Sequence, residues 1–434
     1  MRGRMFIAAI ALALLEAHAS HAIVINVPND FSTIQQAINA AAATGDVIEV
    51  EPGTYAGPLN RDLDFMGKAI ILRSTGGAAA TIIDCQQISR GFNFHSGETN
   101  AAVVDGFTVM NGRRPGDQRG GGILCESGSS PTIRDCVITR NEASNGSGMH
   151  CDSSSPIVSN STIAFNGLGG VTIGQGAGIN CINNSNPTIT GCTFRRNLVF
   201  IGGGAGISCA ASSPTITECK FIDNSTEQGA GVAMLFGSSP SISRCTFENN
   251  FGENGGDALF ALQSAFLATE CLMVGNTGGI TVYGVDANVT MRNCTIALSD
   301  TFFPAGSIAV TITDTGFPGP GIATLDRVII AFTDGIAVQC SGAGVATLTC
   351  CDVFGNAGGN WTGCIAGQAG INGNFSLDPQ FCNLDMRDFR LHSTSPCLPG
   401  NHPQGTPCGL IGVYGSGCAT AVEPTTWGAI KARF

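Results

Sequence analysis

The sequence is poor in charged residues and in the aromatic residues that stack on sugar rings. Only 12% of its 434 residues are charged, the formal net charge is -11, and there are two Trp and three Tyr. The net negative charge and the lack of clustered Lys and Arg argue against nucleic acid and anionic membrane surfaces as partners. The net negative charge also argues against a long polyanionic glycan as a ligand, unless calcium ions bridge the protein and the glycan. Calcium is therefore the one cofactor that the composition leaves open, and we expect no other.

The sequence also lacks a long apolar run, so no integral membrane segment is expected. The N-terminal region carries Arg2 and Arg4, then the apolar run MFIAAIALALLEA and the small-residue stretch HASHA. This order is typical of a secretory signal peptide, which we place at residues 1–22. A membrane anchor is the alternative, but the run is too short and contains Glu16. We expect the mature protein to be secreted or held at the cell surface.

One thirteen-residue phrase, usually with Pro third and Asn last, recurs along the chain. Residues 129–141 read SSPTIRDCVITRN, and residues 212–224 read SSPTITECKFIDN. Strong copies start at 129, 154, 185, 212 and 238, and weaker copies start at 99, 264, 287, 320 and 344. A second phrase, such as GGGILC or GAGISC, lies between the copies. Each period thus contains three short apolar runs, too short for helices and rich in β-branched residues.

Three short strands per period, stacked copy on copy, predict an all-β fold, a parallel β-helix with coils over residues 46–356. Each strand then pairs with its equivalent in the next coil, about 4.8 Å away. Identical residues should stack in rows, for example Phe194, Phe221 and Phe247. The strand direction changes at Arg134 and Asp135, which indicates a bend there. The Asn that ends each copy is expected to adopt the left-handed turn conformation.

The chain ahead of the first coil predicts a short amphipathic helix that covers the open end of the rod. Its apolar face comprises Ile34, Ala37, Ile38 and Ala41. Ser32 and Gln35 are expected to form a capping box, and Gly45 to end the helix. We assign residues 23–45 to this N-terminal cap.

Nineteen cysteines would ordinarily suggest a disulfide framework in an exported protein. Most of them, however, keep one of two fixed positions in the repeat. The first position holds Cys136, Cys192, Cys219, Cys245, Cys271, Cys294 and Cys351, and the second holds Cys125, Cys151, Cys181 and Cys209. A residue type kept in register in this way is more simply a small buried hydrophobic residue, so we favour a core role over disulfides for these cysteines.

The repeat ends near residue 357. We assign residues 357–420 to a Cys-containing C-terminal cap that closes the last coil, and residues 421–434 to a short tail. In the cap we predict two disulfides, Cys382–Cys397 and Cys408–Cys418. Their connectivity cannot be derived from the sequence alone.

The segments STIQQAINAA and GDVIEVEPGTY, together with the coil repeats, resemble the pectin-lyase-like family of right-handed parallel β-helix proteins. The resemblance covers most of the mature chain and implies a single-stranded right-handed β-helix. That family includes lyases, hydrolases, esterases and adhesins. The motifs DPQF, DFRL and SPCLPG resemble the ends of bacterial exported β-helix proteins, which implies a bacterial source. The catalytic motifs of the family's galacturonases, pectate lyases and pectinesterases find no match here, so no catalytic residue is carried over.

Strand alternation places Glu126, His150 and Asp152 on one exposed strand face, where stacking would bring them together. A carboxylate beside a histidine can act as a general acid–base pair, so these are our candidate catalytic residues. The same group could be a weak metal site, but we assign no metal ligands. A solvated face with scattered charge is the alternative.

Three arginines, Arg113, Arg114 and Arg119, lie in the loop NGRRPGDQRGGG just before Glu126. Guanidinium groups bind carboxylate or sulfate groups in pairs of hydrogen bonds, so these are our candidate substrate-binding residues. A solubilising turn is the alternative.

Two functions remain open. The first is an exported non-catalytic rod, at the cell surface or outside the cell, that binds a polysaccharide, a cell-surface glycan or another surface. The alternative is a polysaccharide-degrading lyase, hydrolase or esterase with its site near the candidate catalytic residues. We favour the rod, because the repeats carry no acidic catalytic set.

Overall fold

The computed structural model of the protein describes residues 22–167, 173–284, 287–297, 308–314, 319–403, 405 and 407–418. The predicted signal peptide up to residue 21 and the predicted tail at 421–434 lie outside these ranges.

The described residues form one short α-helix, one 3-10 helix and a long series of short strands. The helix α1 is Ile34–Ala40 and the 3-10 helix η1 is Gly363–Gln368. The first twenty strands are β1 Val24–Val27, β2 Thr44–Val50, β3 Gly53–Ala56, β4 Ala69–Ser74, β5 Thr81–Asp84, β6 Phe92–Phe94, β7 Val103–Asp105, β8 Thr108–Met110, β9 Ile123–Cys125, β10 Thr132–Arg134, β11 Val137–Thr139, β12 Met149–Asp152, β13 Ile157–Ser159, β14 Thr162–Ala164, β15 Ile173–Gln175, β16 Ile179–Ile182, β17 Thr188–Thr190, β18 Thr193–Arg195, β19 Ile201–Gly203 and β20 Ile207–Ala210. The remaining strands are β21 Thr215–Thr217, β22 Lys220–Ile222, β23 Ser225–Thr226, β24 Val232–Leu235, β25 Ser241–Ser243, β26 Thr246–Glu248, β27 Phe251–Gly252, β28 Leu259–Leu262, β29 Phe266–Thr269, β30 Leu272–Val274, β31 Ile280–Tyr283, β32 Asn288–Arg292, β33 Thr295–Ala297, β34 Val310–Thr313, β35 Ile322–Asp326, β36 Ile329–Ala331, β37 Val338–Cys340, β38 Val345–Thr349, β39 Asp352–Phe354, β40 Phe381–Asn383 and β41 Asp388–Leu391.

Three long parallel sheets run the length of the rod. Sheet A has the order β1-β2-β4-β7-β10-β13-β17-β21-β25-β29-β32-β35-β38, sheet B the order β3-β5-β8-β11-β14-β18-β22-β26-β30-β33-β36-β39, and sheet C the order β6-β9-β12-β16-β20-β24-β28-β31-β34-β37. Each full coil passes from sheet C to sheet A to sheet B before it returns to sheet C. The predicted parallel β-helix with three short strands per coil is confirmed.

Neighbouring coils pair in register, and the sequence repeats identify that register at most copies. Ile133 pairs with Val158 in sheet A, and Ile138 pairs with Ile163 in sheet B. Two weak copies were placed one residue early. The pairing of Thr132 with Val103 sets one copy to start at 100, not 99, and a similar pairing in β35 sets another at 321, not 320.

The bend between sheets A and B lies where the sequence predicts it. Asp135 has a φ of 53° and separates β10 from β11. At the end of each copy, however, the left-handed residue is the one before the Asn, for example Arg140 with a φ of 54°. The Asn itself points into the rod, so this part of the prediction is wrong.

These buried Asn side chains form a hydrogen-bonded ladder. It runs through Asn141, Asn166, Asn197, Asn224, Asn250 and Asn276. Asn224 Nδ2 donates to Asn250 Oδ1 at 3.0 Å and to Phe194 O at 3.0 Å. Its Oδ1 accepts from the backbone and side-chain amides of Asn197. Each amide therefore links its coil to both neighbours.

The predicted core rows are present. Phe194, Phe221 and Phe247 stack with ring centroids 4.8 Å apart. All cysteines of the two repeat positions are buried and carry free thiols. The core interpretation of these cysteines is confirmed.

The N-terminal helix buries the predicted face but begins differently. Ile34, Ala37, Ile38 and Ala41 are all buried. Thr33, not Ser32, precedes the helix, and it forms no side-chain capping bond. The Gln35 side chain instead bonds the backbone of Asp64, so the predicted capping box is wrong.

Two further features of this end were not predicted. The helix ends at Ala40, and Gly45 lies in β2, so the predicted helix end is wrong. Strand β1 precedes the helix and pairs with β2 as the first strand of sheet A.

The C-terminal region does more than close the last coil. Ile365 of η1 is buried in the rod core, and Gln368 bonds the backbone of Ala346 and Leu348. The chain then folds back over the outer face of sheet B. There, Phe389 packs with Leu272, Val274 and Ala297. We call residues 375–418 the C-terminal strap.

The predicted disulfide pairs are wrong. The disulfides are Cys340–Cys364, Cys350–Cys408 and Cys382–Cys418, and Cys397 is a buried free thiol. The folded-back strap brings Cys408 to the bend between β38 and β39, a proximity that no spacing along the chain could indicate. Among the described residues, no helix has the length and apolar character needed to cross a membrane.

We expect Asn224→Ala to lower the free energy of unfolding by about 2 to 5 kcal/mol, because it leaves buried partners in two coils without hydrogen bonds. Chemical denaturation measures this loss. Asn254→Ala is the matched control, since its exposed side chain bonds only Glu227 and should change stability by less than about 0.5 kcal/mol. Equal effects of the two substitutions would contradict the role of the ladder.

We expect Asp352 to make the attachment of the strap sensitive to pH. It is fully buried, accepts bonds from Leu377 N and Cys397 Sγ, and burial raises its pKa to about 8. The folded-state pKa lies above the value of about 3.9 in an unfolded chain. The contribution of the neutral carboxyl group to stability is therefore complete below pH ~4 and is lost as the pH rises through the folded-state pKa. Burial also raises the pKa of Asp257 to about 7, with the same sign.

We expect Asp352→Asn, which stays neutral, to be more stable than the unchanged protein at pH 8.5 by about 2 to 5 kcal/mol and equal to it near pH 4. Denaturant unfolding over a pH series checks this. The exposed Asp385→Asn is the control and should follow the unchanged protein, since Asp385 does not act on the pKa of Asp352. Identical pH dependence in Asp352→Asn and the unchanged protein would show that Asp352 is not protonated in the fold.

Candidate functional site

The described parts of the loops that lead from sheet B back to sheet C, between residues 119 and 252, stack on one another and form a ridge beside sheet C. Backbone bridges join Arg119 to Asn145 and Asn145 to Gln175, and β15 pairs with β19. A glycine at positive φ lies three residues before each of the strands β9, β12, β16, β20, β24 and β28, and a Cβ at Gly146 would overlap Met149 O. Since only glycine fits there, the ridge can lie directly against the outer face of sheet C. We call these stacked loops the ridge.

The ridge buries residues that strand alternation alone places outside. Leu124, His150, Asn180 and Ser208 point away from the core but are at most 2% exposed. The predicted exposed face is therefore wrong for His150. Alternation gives the direction of a side chain but not whether a loop covers it.

Glu126 and Asp152 lie side by side, as predicted, but His150 is not paired with either. The register of Cys125 with Cys151 makes the two acidic residues neighbours. Asp152 Oδ1 accepts from Asn183 Nδ2 at 2.8 Å, and Glu126 Oε2 accepts from Arg119 Nη1 at 2.8 Å.

His150 contacts Asn180 instead. The His150 Nδ1 atom lies 3.2 Å from Asn180 Nδ2, and its Nε2 atom is buried without a partner among the described residues. Burial lowers the pKa of His150 to about 4, so the ring is neutral at ordinary pH. In this arrangement, His150 has no carboxylate to orient it as a general base.

The three predicted substrate-binding arginines point to different carboxylates. Arg113 lies 3.7 Å from Glu142, and Arg114 lies 3.3 Å from Asp62. Arg119 binds Asp117 and Glu126 together. Only Arg114 of these three lines the cavity described next.

A cavity of about 570 Å³ opens on the outer face of the first strands of sheet C. Its lining consists of Arg90, Asn93, His95, Arg114, Pro115, Gly116, Asp117 and Glu126. Its volume falls in the range of small-molecule sites. We call it the sheet C pocket.

A buried arginine anchors this pocket. The Arg90 side chain is 1% exposed, donates from Nη2 to Asp117 Oδ2 at 2.6 Å and from Nη1 to Asn93 Oδ1 at 3.3 Å. Burial raises the pKa of Asp117, but hydrogen bonds from Arg90 and Arg119 outweigh it and lower that pKa overall. Asp117 is therefore an ionised acceptor held between two guanidinium groups.

At the pocket edge, His95 Nε2 lies 3.3 Å from Asp64 Oδ2, and His95 is partly exposed. The sequence interpretation gave His95 no role and did not single out Arg90, Asn93 or Asp64. One signal could have identified His95. The phrase FNFH aligns with ILCE, and Phe94 pairs with Cys125, so His95 stacks beside Glu126.

A second cavity, of about 820 Å³, lies in the C-terminal strap. There, His392 Nδ1 is 2.9 Å from Thr394 Oγ1, which donates to Gln380 Oε1 at 2.6 Å. Its lining is exposed and contains no buried charge, so the sheet C pocket is the better candidate. In the part of the chain that the structure describes, no group of three or more His, Cys, Asp or Glu could hold a metal ion.

Three polysaccharide lyases are among the solved structures to which this chain is similar. A pectate lyase is 14% identical, with 91% of this chain and 96% of that chain covered and a TM-score of 0.44. A mannuronic acid-specific family 6 lyase from human gut microbiota is 11% identical, with 77% and 81% covered and a TM-score of 0.40. A rhamnogalacturonan lyase is 11% identical, with 90% and 92% covered and a TM-score of 0.35. These similarities carry no argument about activity.

No curated protein matches the sequence. The family model described as the right-handed β-helix region matches residues 62–296, which is more than half of the chain. The predicted handedness and the predicted resemblance to pectin-lyase-like proteins are therefore confirmed at the level of the fold. The chain belongs to the right-handed β-helix family.

Proposed function

We propose that the protein is an exported, non-catalytic β-helix rod that binds a glycan in the sheet C pocket. One observation carries this proposal: the charged groups of the pocket are already paired with one another. Asp117 is held by Arg90 and Arg119, Glu126 by Arg119, and His95 faces Asp64. General acid catalysis needs a carboxyl group that keeps its proton near neutral pH, and the pairing of Asp117 works against this.

The polar lining suits a sugar better than an apolar ligand. Amide, imidazole, carboxylate and guanidinium groups provide both donors and acceptors for hydroxyl groups. No Trp or Tyr lines the pocket, so binding would depend on hydrogen bonds more than on ring stacking. We therefore expect modest affinity for a single glycan unit, increased by repetition along a polymer.

Arg114 would distinguish acidic from neutral glycans. Its Nη1 atom makes only long contacts with Asp62, at 3.3 and 3.4 Å, and both side chains are exposed. An exposed ion pair of this kind is weak, so a uronate carboxylate could compete for the guanidinium group. The ligand class that we favour is a glycan with at least one acidic sugar.

Export is part of the proposal. The three disulfides of the C-terminal region are typical of an oxidising compartment outside the cytosol. The predicted signal peptide agrees with this location but lies largely outside the described residues.

We expect Arg114→Gln to weaken binding of an acidic oligosaccharide about tenfold or more and to leave neutral oligosaccharides unaffected, because it removes one charge-assisted contact. Titration calorimetry against a panel of acidic and neutral oligosaccharides measures this. Arg113→Gln is the matched control, since it makes the same charge change in the adjacent residue outside the pocket. Equal weakening by both variants, or no binding of any glycan, would refute the proposed site.

A second candidate function is polysaccharide cleavage, which the pair of His95 and Asp64 favours. A histidine oriented by a carboxylate and partly open to solvent can remove a proton from a bound sugar. The pocket then would serve a lyase, hydrolase or esterase. Our preference for the rod rests on the paired carboxylates.

If the protein is an enzyme, His95→Gln should lower turnover at least about 100-fold. New reducing ends and the ultraviolet absorbance of unsaturated uronides would be followed, with and without calcium. His392→Gln, which changes a histidine in the strap cavity, should leave turnover unchanged. Turnover by the unchanged protein that His95→Gln abolishes would overturn the non-catalytic proposal, and absence of turnover in every assay would exclude the second candidate.

A further inference from the structure

Strand β1, the first strand of sheet A, begins just after Ala22, the predicted last residue of the signal peptide. Both backbone polar groups of Ile23, the next residue, are bound by β2. The Ile23 carbonyl oxygen accepts from Val47 N at 3.0 Å, and Ile23 N donates to Asp46 Oδ1 at 3.0 Å. The nitrogen atom that the predicted cleavage would free therefore already lies beside a carboxylate group.

A local irregularity of β2 positions this carboxylate. The pairing of β2 with β4 shifts its register at the start of the strand, and Gly45, just before Asp46, has a φ of 88°. Glycine adopts this left-handed conformation without a steric penalty. The second carboxylate oxygen, Asp46 Oδ2, accepts from Ala42 N at 2.7 Å. Both oxygen atoms of Asp46 are thus held in place, one of them against Ile23 N.

Asp46 is an ionised carboxylate that has no ion pair among the described residues. Hydrogen bonds from Ile23 N and Ala42 N lower the pKa of Asp46, although burial acts in the opposite direction, and its side chain is 1% exposed. The positive charge of Lys68 also acts on Asp46, but the Lys68 ammonium group donates to three carbonyl oxygens at the C-terminal end of α1. Burying a charge costs free energy unless it is paired. A cation at Ile23 N would supply that pairing.

We propose that cleavage after Ala22 converts Ile23 N into an α-ammonium group that forms an ion pair with Asp46. Ser20 and Ala22 are the small residues of this cleavage site. Before cleavage, Ile23 N is an uncharged amide and its donor group carries no charge; after cleavage, the bond joins two opposite charges and is stronger. Processing therefore fixes the start of β1 on β2 more firmly than in the precursor. The inference rests on the proposed export, during which the signal peptide is removed.

The cleavage site is determined by mass spectrometry of the N-terminal peptide, after the full chain is secreted from a bacterial host. We expect the mature chain to begin at Ile23. Cleavage at another bond would overturn the inference and leave the proposed export intact. An uncut chain that stays inside the cell would overturn the proposed export as well, so the two failures are distinguishable.

The ion pair is measured at the α-amino group itself, in protein that begins at Ile23. The rate at which acetic anhydride acetylates this amine follows its unprotonated fraction, so the dependence of the rate on pH gives its pKa. Because an opposite charge favours the ammonium form, we expect this pKa to lie about one unit or more above its ordinary value of about 8. Asp46→Asn should return it to the ordinary value. Asp30→Asn is the control, since it removes a carboxylate that binds Asn26 N in the same cap, and it should leave the pKa raised.

An ordinary α-amino pKa in the unchanged protein, or the same raised pKa in Asp46→Asn, would overturn the ion pair. A second comparison uses a chain that begins at Ser20, in which three added residues carry the ammonium group away from Asp46. Hydrogen exchange of β1, followed by mass spectrometry at pH 7, should be about tenfold or more faster in this chain than in the chain that begins at Ile23. Asp46→Asn should remove the difference, and equal exchange in the two unchanged chains would contradict the proposal.

The difference in exchange also has an expected pH dependence. The folded-state pKa of the α-amino group is raised, so its contribution is complete below pH ~7.7 and is lost as the pH rises through the folded-state pKa. Lys68, the other charged group that acts on Asp46, is the same in both chains and cancels in the comparison. A difference that persists unchanged at pH 11 would show that the α-ammonium charge is not its cause.

Discussion

The in-register stacking of coils is the constraint on which the rest of this structure depends. Every residue lies about 4.8 Å from its equivalent in the next coil, so a residue type can form a row only if it tolerates its own copy as a neighbour. Phe, Ile and Cys do so by packing, and Asn does so because its amide donates on one side and accepts on the other. A charge cannot, since like charges at this distance repel. Many charged residues accordingly occur as cross-coil pairs of opposite sign, such as Arg134 with Asp105 and Arg244 with Glu218. The low charge content of the chain follows from the same constraint.

The ridge adds a second layer over sheet C and thereby buries polar side chains of that sheet. Sheet A remains open to solvent, and part of sheet B lies under the C-terminal strap. Over six strands of sheet C, from β9 to β28, a glycine at positive φ before the strand lets the loop backbone lie on the strand itself. Polar side chains that would be exposed on an uncovered sheet become buried there. Burial there lowers the pKa of His150, and the buried Arg90 side chain forms an ion pair with Asp117. The sheet C pocket lies at the first strands of sheet C, where the ridge does not cover the sheet completely.

Contacts between repeated positions can be predicted from the sequence, whereas contacts made by segments outside the repeat cannot. The rows of Cys, Phe and Asn could be identified because a spacing that recurs along the chain becomes a contact between coils. The exposure of His150 could not, because alternation says nothing about the loop above a strand. The disulfide partners of Cys408 and Cys418 depend on a strap that turns back along the rod, and that turn has no periodic signal. Likewise, Arg90 and Asp117 meet only because one irregular loop folds over β6 and β9. The site therefore lies among the residues that the repeat does not specify.

The distribution of cysteines agrees with the oxidising compartment that the proposed export implies. Six cysteines form disulfides, all of which join the last coils or the strap, and the other thirteen are buried. Burial excludes oxidants and also raises the pKa of thiols such as Cys136 and Cys351 to about 12, which removes the reactive thiolate. Adjacent thiols in a row would nevertheless be close enough to cross-link wrongly in a partly folded chain. Burial of the rows by coil formation before the strap cysteines are oxidised would prevent such cross-links. If the rod forms first and the strap disulfides form last, the same core contacts protect the row thiols from oxidants and keep them from pairing with the strap cysteines.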